Sequence, residues 1–205
     1  MRPVPRRSVL AAAALGLAGC SSNDGNGDDT DGNGTGGGDT ARSDNPALAS
    51  AEGNGSLSVR SSAFEAGGSI PQKFWRNQSN VNPPLAIDGV PDEAGSLALV
   101  VDDPDAVAVA GEIFVHWLVW NVPPDLTTIP ENWEVSAALE GVNDFGEVDY
   151  GGPAPPDDPH TYRFKCFAVD GTLELAVGGT AEDFGPALSG RILARAQVTG
   201  TYAPS

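Results

Sequence analysis

The chain has 205 residues, with 28 acidic side chains against 11 basic ones and a formal net charge of −17. Three basic residues, Arg2, Arg6 and Arg7, precede Cys20 and every acidic residue follows it, so the rest of the chain sets 8 basic groups against 28 acidic ones, a balance of −20. Such a charge repels nucleic acid and anionic membranes, so neither is an expected partner, and with only two lysines (Lys73 and Lys165) it suits a halophilic setting where repulsion is screened.

Residues 1–20 read as an export signal. A basic stretch precedes a short apolar run over 9–18, too short for a resident membrane helix. Arg6-Arg7 looks like a twin-arginine signal, and Leu17-Ala18-Gly19-Cys20 like a lipobox, which predicts cleavage before Cys20, lipid on its thiol and placement on the outer face of the cell membrane. A plain secretory peptide with a chance cysteine is the alternative. One acyl chain holds a protein only marginally, so a stable anchor calls for two. Residues 21–55 are rich in Gly, Asn, Asp, Thr and Ser and lack the apolar surface to offset ordering entropy. They are expected to be an acidic, disordered tether. Residues 56–205 are long enough for one domain with its own core.

Short apolar runs recur at 57–59, 97–101, 113–120, 162–169, 173–175 and 194–202, each bounded by Gly, Pro, Asp or Asn. The pattern predicts a mainly β fold, an antiparallel β-sandwich rather than alternating β and α units. One helix is expected within 180–191, with Thr180 as its cap and Glu182 and Asp183 near its positive end; Pro186 is expected to start or kink it. In the run 113–120, strict alternation places His116 on one face with Phe114, Leu118 and Trp120. In 162–169 it groups Tyr162, Phe164, Cys166 and Ala168, the less polar face. Cys166 is therefore expected as a small core residue, with no disulfide partner once Cys20 carries lipid.

Chemistry concentrates in three places. Asp103-Pro104-Asp105-Ala106 follows the run at 97–101. His116-Trp117 lies in the next one. Tyr150-Gly151-Gly152-Pro153-Ala154-Pro155-Pro156 leads to His160-Thr161-Tyr162, a proline-stiffened loop that holds one of the two histidines. Asp103 and Asp105 suit either a turn in which the carboxylates bond the backbone, a pair that holds a cationic group, or partners that orient a histidine. Asp102 is expected to face solvent. Two His and two Asp also suit zinc in type, but no short His spacing supports it. No Gly-x-Ser-x-Gly and no nucleotide phosphate loop occur in residues 56–205.

Together these motifs resemble the phosphatidylethanolamine-binding protein family, in its bacterial and archaeal branch of Raf kinase inhibitor-like proteins (the YbhB/YbcL type). The stretches at 64–71, 82–85, 141–146 and 200–202 extend the resemblance to about residues 57–202. Val107 departs from the family's usual proline, Thr161 from its arginine, and Asp157 and Asp158 from its Gly or basic residues. The resemblance implies a pocket formed by Asp103, Asp105, His116, Tyr150, Gly152, Pro153, His160 and Tyr162. In it the histidines and tyrosines donate to a phosphate or carboxylate, amides at Gly151 and Gly152 complete an oxyanion cradle, and the acids hold an ammonium group. It implies a small anionic or zwitterionic ligand such as a phospholipid head group, no cofactor, no catalysis, and a protein partner whose activity is modulated. A homodimer stays open, because some family members are dimers. The alternatives are an interaction or protease-inhibitor module with a vestigial pocket and, behind it, a metal-dependent hydrolase.

Overall fold

The computed structural model describes Arg42 and residues 44–203, apart from positions 54 and 157. The signal, the lipobox and most of the tether lie outside the described residues. Among the described residues no helix is long and apolar enough to cross a membrane.

Among the described residues eight strands form two sheets, antiparallel as the sequence predicts. The small sheet holds β1 (Ser58–Ser61), β2 (Leu85–Asp88) and β5 (Thr128–Ile129), in the order β1-β2-β5. The large sheet holds β3 (Ser96–Asp103), β4 (Phe114–Val122), β6 (Leu139–Glu140), β7 (His160–Val169) and β8 (Ile192–Tyr202), in the order β6-β4-β3-β7-β8. Among the described residues two short α-helices complete it, α1 (Val107–Ala110) and α2 (Ala181–Leu188). β3 occupies the centre, and all eight of its residues are buried, which is why it reads as an unbroken apolar run.

Alternation divides the core in two. Leu97, Leu99 and Val101 of β3 and Phe164 and Cys166 of β7 face the small sheet, where they meet Val59, Leu85 and Ile87. Ala98 and Val100 of β3 and Phe167 and Val169 of β7 face the other way, against Phe184 and Leu188 of α2. Cys166 is buried, as predicted, and burial pushes its thiol up to about 12, so it does not form a reactive thiolate.

Four expectations need correction. Residues 44–51, assigned to the tether, pack as a strap across the outer face of the large sheet: Asn45, Ala47, Leu48 and Ala51 are all buried. Asn45 donates from Nδ2 to Ala181 O at 2.7 Å, and a Cβ on Gly185 would lie 2.1 Å from Asn45 Oδ1. Asp102 is not solvent-facing but wholly buried beneath this strap. It accepts from Arg163 Nε and Nη2, both at 2.8 Å, and from Lys165 Nζ at 2.6 Å. The same cations donate to strap carbonyls, Lys165 to Ala47 and Ala49 and Arg163 to Leu48, so the strap supplies the polar partners that a buried cation needs. Residues 173–175 form no strand; Asn121, in a left-handed conformation at φ 58°, exchanges two hydrogen bonds with the backbone of Leu173 through its side-chain amide and stands in for a ladder neighbour. Finally, α2 begins at Ala181 rather than at Pro186. The Thr180–Asp183 capping box fixes the start, and Pro186 sits close to the end, where it removes only one helical bond.

Candidate functional site

The three motifs converge. A cavity of about 190 Å³ opens at the end of the large sheet where β3 stops and β7 begins, and Asp103, His116, His160 and Tyr162 all line it. It is smaller than the roughly 300–1,000 Å³ typical of drug-sized sites.

Asp103 organises one wall. Its Oδ1 accepts from the amides of Asp105 (2.9 Å) and Ala106 (3.1 Å), the turn that Pro104 sets up and that leads into α1. Its Oδ2 lies 2.6 Å from His160 Nδ1. Two of the three readings of this carboxylate therefore hold at once: it closes a turn and it orients a histidine. The short contact to Asp103 fixes the orientation of the His160 ring. Asp105 does not line the cavity. It is exposed, and its Oδ2 accepts from Thr161 N at 2.7 Å, which ties the turn to the start of β7.

His116 reaches the cavity by a departure from alternation. Val101 pairs with Trp117 and Asp102 with Val115, so His116 is the extra residue of a β-bulge in β4. Val115, Leu118 and Trp120 point to the outer core and Trp117 and Val119 to the inner one. Contrary to the alternation argument, His116 therefore does not share a face with Leu118 and Trp120; of the residues grouped with it, only Phe114 joins it at the cavity. Its Nδ1 lies 2.7 Å from Gly151 O, and its own carbonyl, unused by the ladder, accepts from Gly151 N at 2.9 Å. Burial holds the imidazole below its usual 6.5 despite the opposing pull of the Gly151 carbonyl and of Asp103. His116 is thus neutral at pH 7, with Nδ1 as the donor to Gly151 and Nε2 as an acceptor.

The loop 150–156 forms the opposite wall through Ala154, Pro155 and Pro156. The expected oxyanion cradle is absent at Gly151 and Gly152: the Gly151 amide donates to His116 O and the Gly152 amide to Asn80 Oδ1 at 2.8 Å. These glycines serve close approach instead. A Cβ at Gly151 would meet the Phe145 ring at 2.6 Å, and one at Gly152 would meet Phe74 O at 2.2 Å. Gly152, Pro153 and Tyr150 support the wall from beneath rather than line it; Pro153 O accepts from Arg76 N at 3.1 Å, and Tyr150 packs edge-on against Trp117 at 5.7 Å.

Tyr162 sets its ring edge-on to His116, with centroids 5.1 Å apart. Its hydroxyl is buried and makes no hydrogen bond of good geometry, although Asp103 and the Ala154 backbone are near enough to perturb it. Burial and the Asp103 charge raise its pKa strongly, so it stays a neutral O–H donor. The Tyr150 hydroxyl is likewise buried without a partner. Phe114 and Phe145, not singled out from the sequence, complete the apolar wall; Arg76 stacks over Phe145 at 3.8 Å while its charge is paired with Glu147. Among the described residues no group of three or more His, Cys, Asp or Glu side chains is placed to hold a metal ion.

Comparison with known proteins agrees with this arrangement. The family model described as phosphatidylethanolamine-binding protein matches residues 60–203. A UPF0098 protein of Methanothermobacter thermautotrophicus is 39% identical over 151 residues, which cover 71% of this chain and 98% of that one. A UPF0098 protein of Chlamydia muridarum is 38% identical, with the same coverage. Among solved structures, a phosphatidylethanolamine-binding protein homologue from Chlamydia trachomatis superposes with a TM-score of 0.69 at 35% identity, covering 74% of this chain and all of that one. Escherichia coli YbcL gives 0.69 at 28% identity, covering 73% and 99%. Fold, ordered motifs and relatives agree: the chain belongs to the phosphatidylethanolamine-binding protein family, with a YbhB/YbcL-type domain.

Proposed function

We propose that this protein binds, without chemically transforming it, a small zwitterionic or anionic ligand of the phospholipid head-group class in the cavity between Asp103, His116, His160 and Tyr162, and that it does so outside the cell, held to the membrane by lipid on Cys20. The observation that carries the reading is the Tyr162 hydroxyl, a buried donor without a partner beside the Asp103–His160 pair. A buried polar group left unmade costs about 1–3 kcal/mol, which a ligand oxygen recovers. The neutral His116, with Nε2 as acceptor, favours a ligand that also carries N–H or O–H donors, as phosphoethanolamine does.

The test is calorimetric titration with phosphoethanolamine, phosphate and ethanolamine in molar KCl. Tyr162→Phe removes a hydroxyl that makes no hydrogen bond of good geometry in the protein, so stability changes little while affinity falls about tenfold. His160→Ala weakens binding further. Equal binding by wild type and both variants would end this assignment. No binding of any of the three would leave the protein-interaction module with a vestigial pocket as the better description. Mass spectrometry of the membrane fraction, for a mature N-terminus at Cys20 bearing two acyl or alkyl chains, tests the anchor.

A further inference from the structure

The mouth of the cavity carries an unusual surface. Five consecutive apolar residues at 107–111 are exposed, with Val107 at 47% and Val109 at 52%. A run of exposed apolar residues costs solubility unless it serves a contact, and in a chain this acidic it stands out. α1 lacks any polar side chain, and Val107 stands where the family usually has proline. Its residues Val109 and Ala110 also line the cavity, so the exposed lip and the binding site are continuous.

The N-terminal chain arrives at this same edge. Arg42 Nε lies 3.0 Å from Glu112 Oε2, just past the glycine that closes α1. Its Nη1 donates to Ile113 O at 2.7 Å, and its guanidinium forms a two-pronged pair with Asp144 at 2.8 and 3.0 Å. Ile113 and Asp144 directly precede Phe114 and Phe145, both in the cavity wall. Arg42 lies only 22 positions beyond Cys20. A polypeptide of that length reaches at most about 79 Å. A lipid on Cys20 would therefore hold the α1 edge within that reach of the bilayer.

We propose that the α1 lip is a lipid-contacting surface through which the cavity takes its head group directly from the bilayer that anchors the chain. The proposal rests on the anchored ligand-binding reading above. The balance of −20 rules against anionic lipid. The occupant is an uncharged or zwitterionic bilayer, met at a salt concentration where the Debye length is about 3 Å.

The experiment uses the mature protein, with its lipid on Cys20, reconstituted on phosphatidylcholine vesicles containing phosphatidylethanolamine in molar KCl. A nitroxide is placed at Val107→Cys, or as a control at Leu193→Cys, which lies at the far end of β8, where Ile192 pairs with Val169 rather than with His160. Buried Cys166 does not compete for label. The label at 107 gains contact with oxygen and loses contact with aqueous nickel chelate, while the label at 193 stays aqueous. Both labels remaining aqueous overturns the proposal; so does immobilisation at 107 without oxygen contact, the mark of a protein partner or a second copy. In a second arm, Val107→Asp with Ala108→Asp lowers capture of phosphatidylethanolamine from vesicles about tenfold, as expected for losing one buried valine, and leaves affinity for soluble phosphoethanolamine within about twofold. Unchanged capture overturns the lip. Failure of wild type to bind soluble phosphoethanolamine strikes the cavity reading instead, and the nitroxide result still judges the lip alone.

Discussion

Replacing Asp102 with Asn tests the buried network beneath the strap. Asp102 is wholly buried and accepts three hydrogen bonds, two from Arg163 and one from Lys165. The amide keeps the shape but removes the charge and points an N–H₂ at two cations. Removing one member of a buried pair typically costs about 3–5 kcal/mol, because the remaining charge is uncompensated. Part of that loss is avoidable. Burial already holds Lys165 down at about 8 against the pull of Asp102, so without the carboxylate it gives up its proton. Arg163 has no such option. The expected cost is therefore near the lower end, about 3 kcal/mol. Adding Lys165→Met, which removes the buried amine left without its carboxylate, returns about 1–2 kcal/mol of it. Urea unfolding in molar KCl, followed by the fluorescence of the four tryptophans, compares wild type with both variants. A loss below about 1 kcal/mol, or one that vanishes between low and molar salt as an exposed pair's would, refutes the reasoning.

Three further outcomes follow from the same geometry. Lys165 sits at about 8 in the fold against 10.5 ordinarily, so between those values only the unfolded chain holds the proton; the stability of wild type relative to Lys165→Met should climb with pH across that window, by about 3 kcal/mol at most, and a flat difference contradicts it. His116 is lowered from 6.5 by burial, so its native ring stays neutral while the unfolded one protonates; its contribution is present above 6.5 and fades as pH falls below, and an NMR titration with a midpoint at or above 6.5 contradicts this. Leu48→Ala, in the strap's fully buried position, should cost about 2–5 kcal/mol in chemical denaturation; a loss under about 0.5 kcal/mol would mean that residues 44–51 do not belong to the core.

The sequence revealed the large strands because their apolar runs are long. β3 and β7 each extend only one or two residues beyond the predicted runs. β5 and β6, two residues each, carry too little pattern to register. The strap was hidden by composition: Ala47 and Leu48 sit among Ser, Asn and Pro, and only the third dimension shows that the outer face of β7 has two cations in need of carbonyls. The same cations explain the error over Asp102, since a charged residue at the end of an apolar run is ordinarily solvated. Of the candidate site, the convergence of the Asp, His and Tyr motifs was legible from family resemblance. The commitment of the Gly151 and Gly152 amides was not, because their acceptors, His116 O and Asn80 Oδ1, are 35 and 72 residues away in the chain.

The bulge at His116 makes the histidine separable from the framework that holds it. Without that one residue, Val115 and Trp117 would continue an unbroken ladder opposite Asp102 and Val101, each already facing its proper core. Deleting position 116 would therefore leave both hydrophobic layers in register and strip the site of an imidazole. By the same token, a lineage could acquire or discard this group through a single codon event, without first passing through an unfolded ancestor.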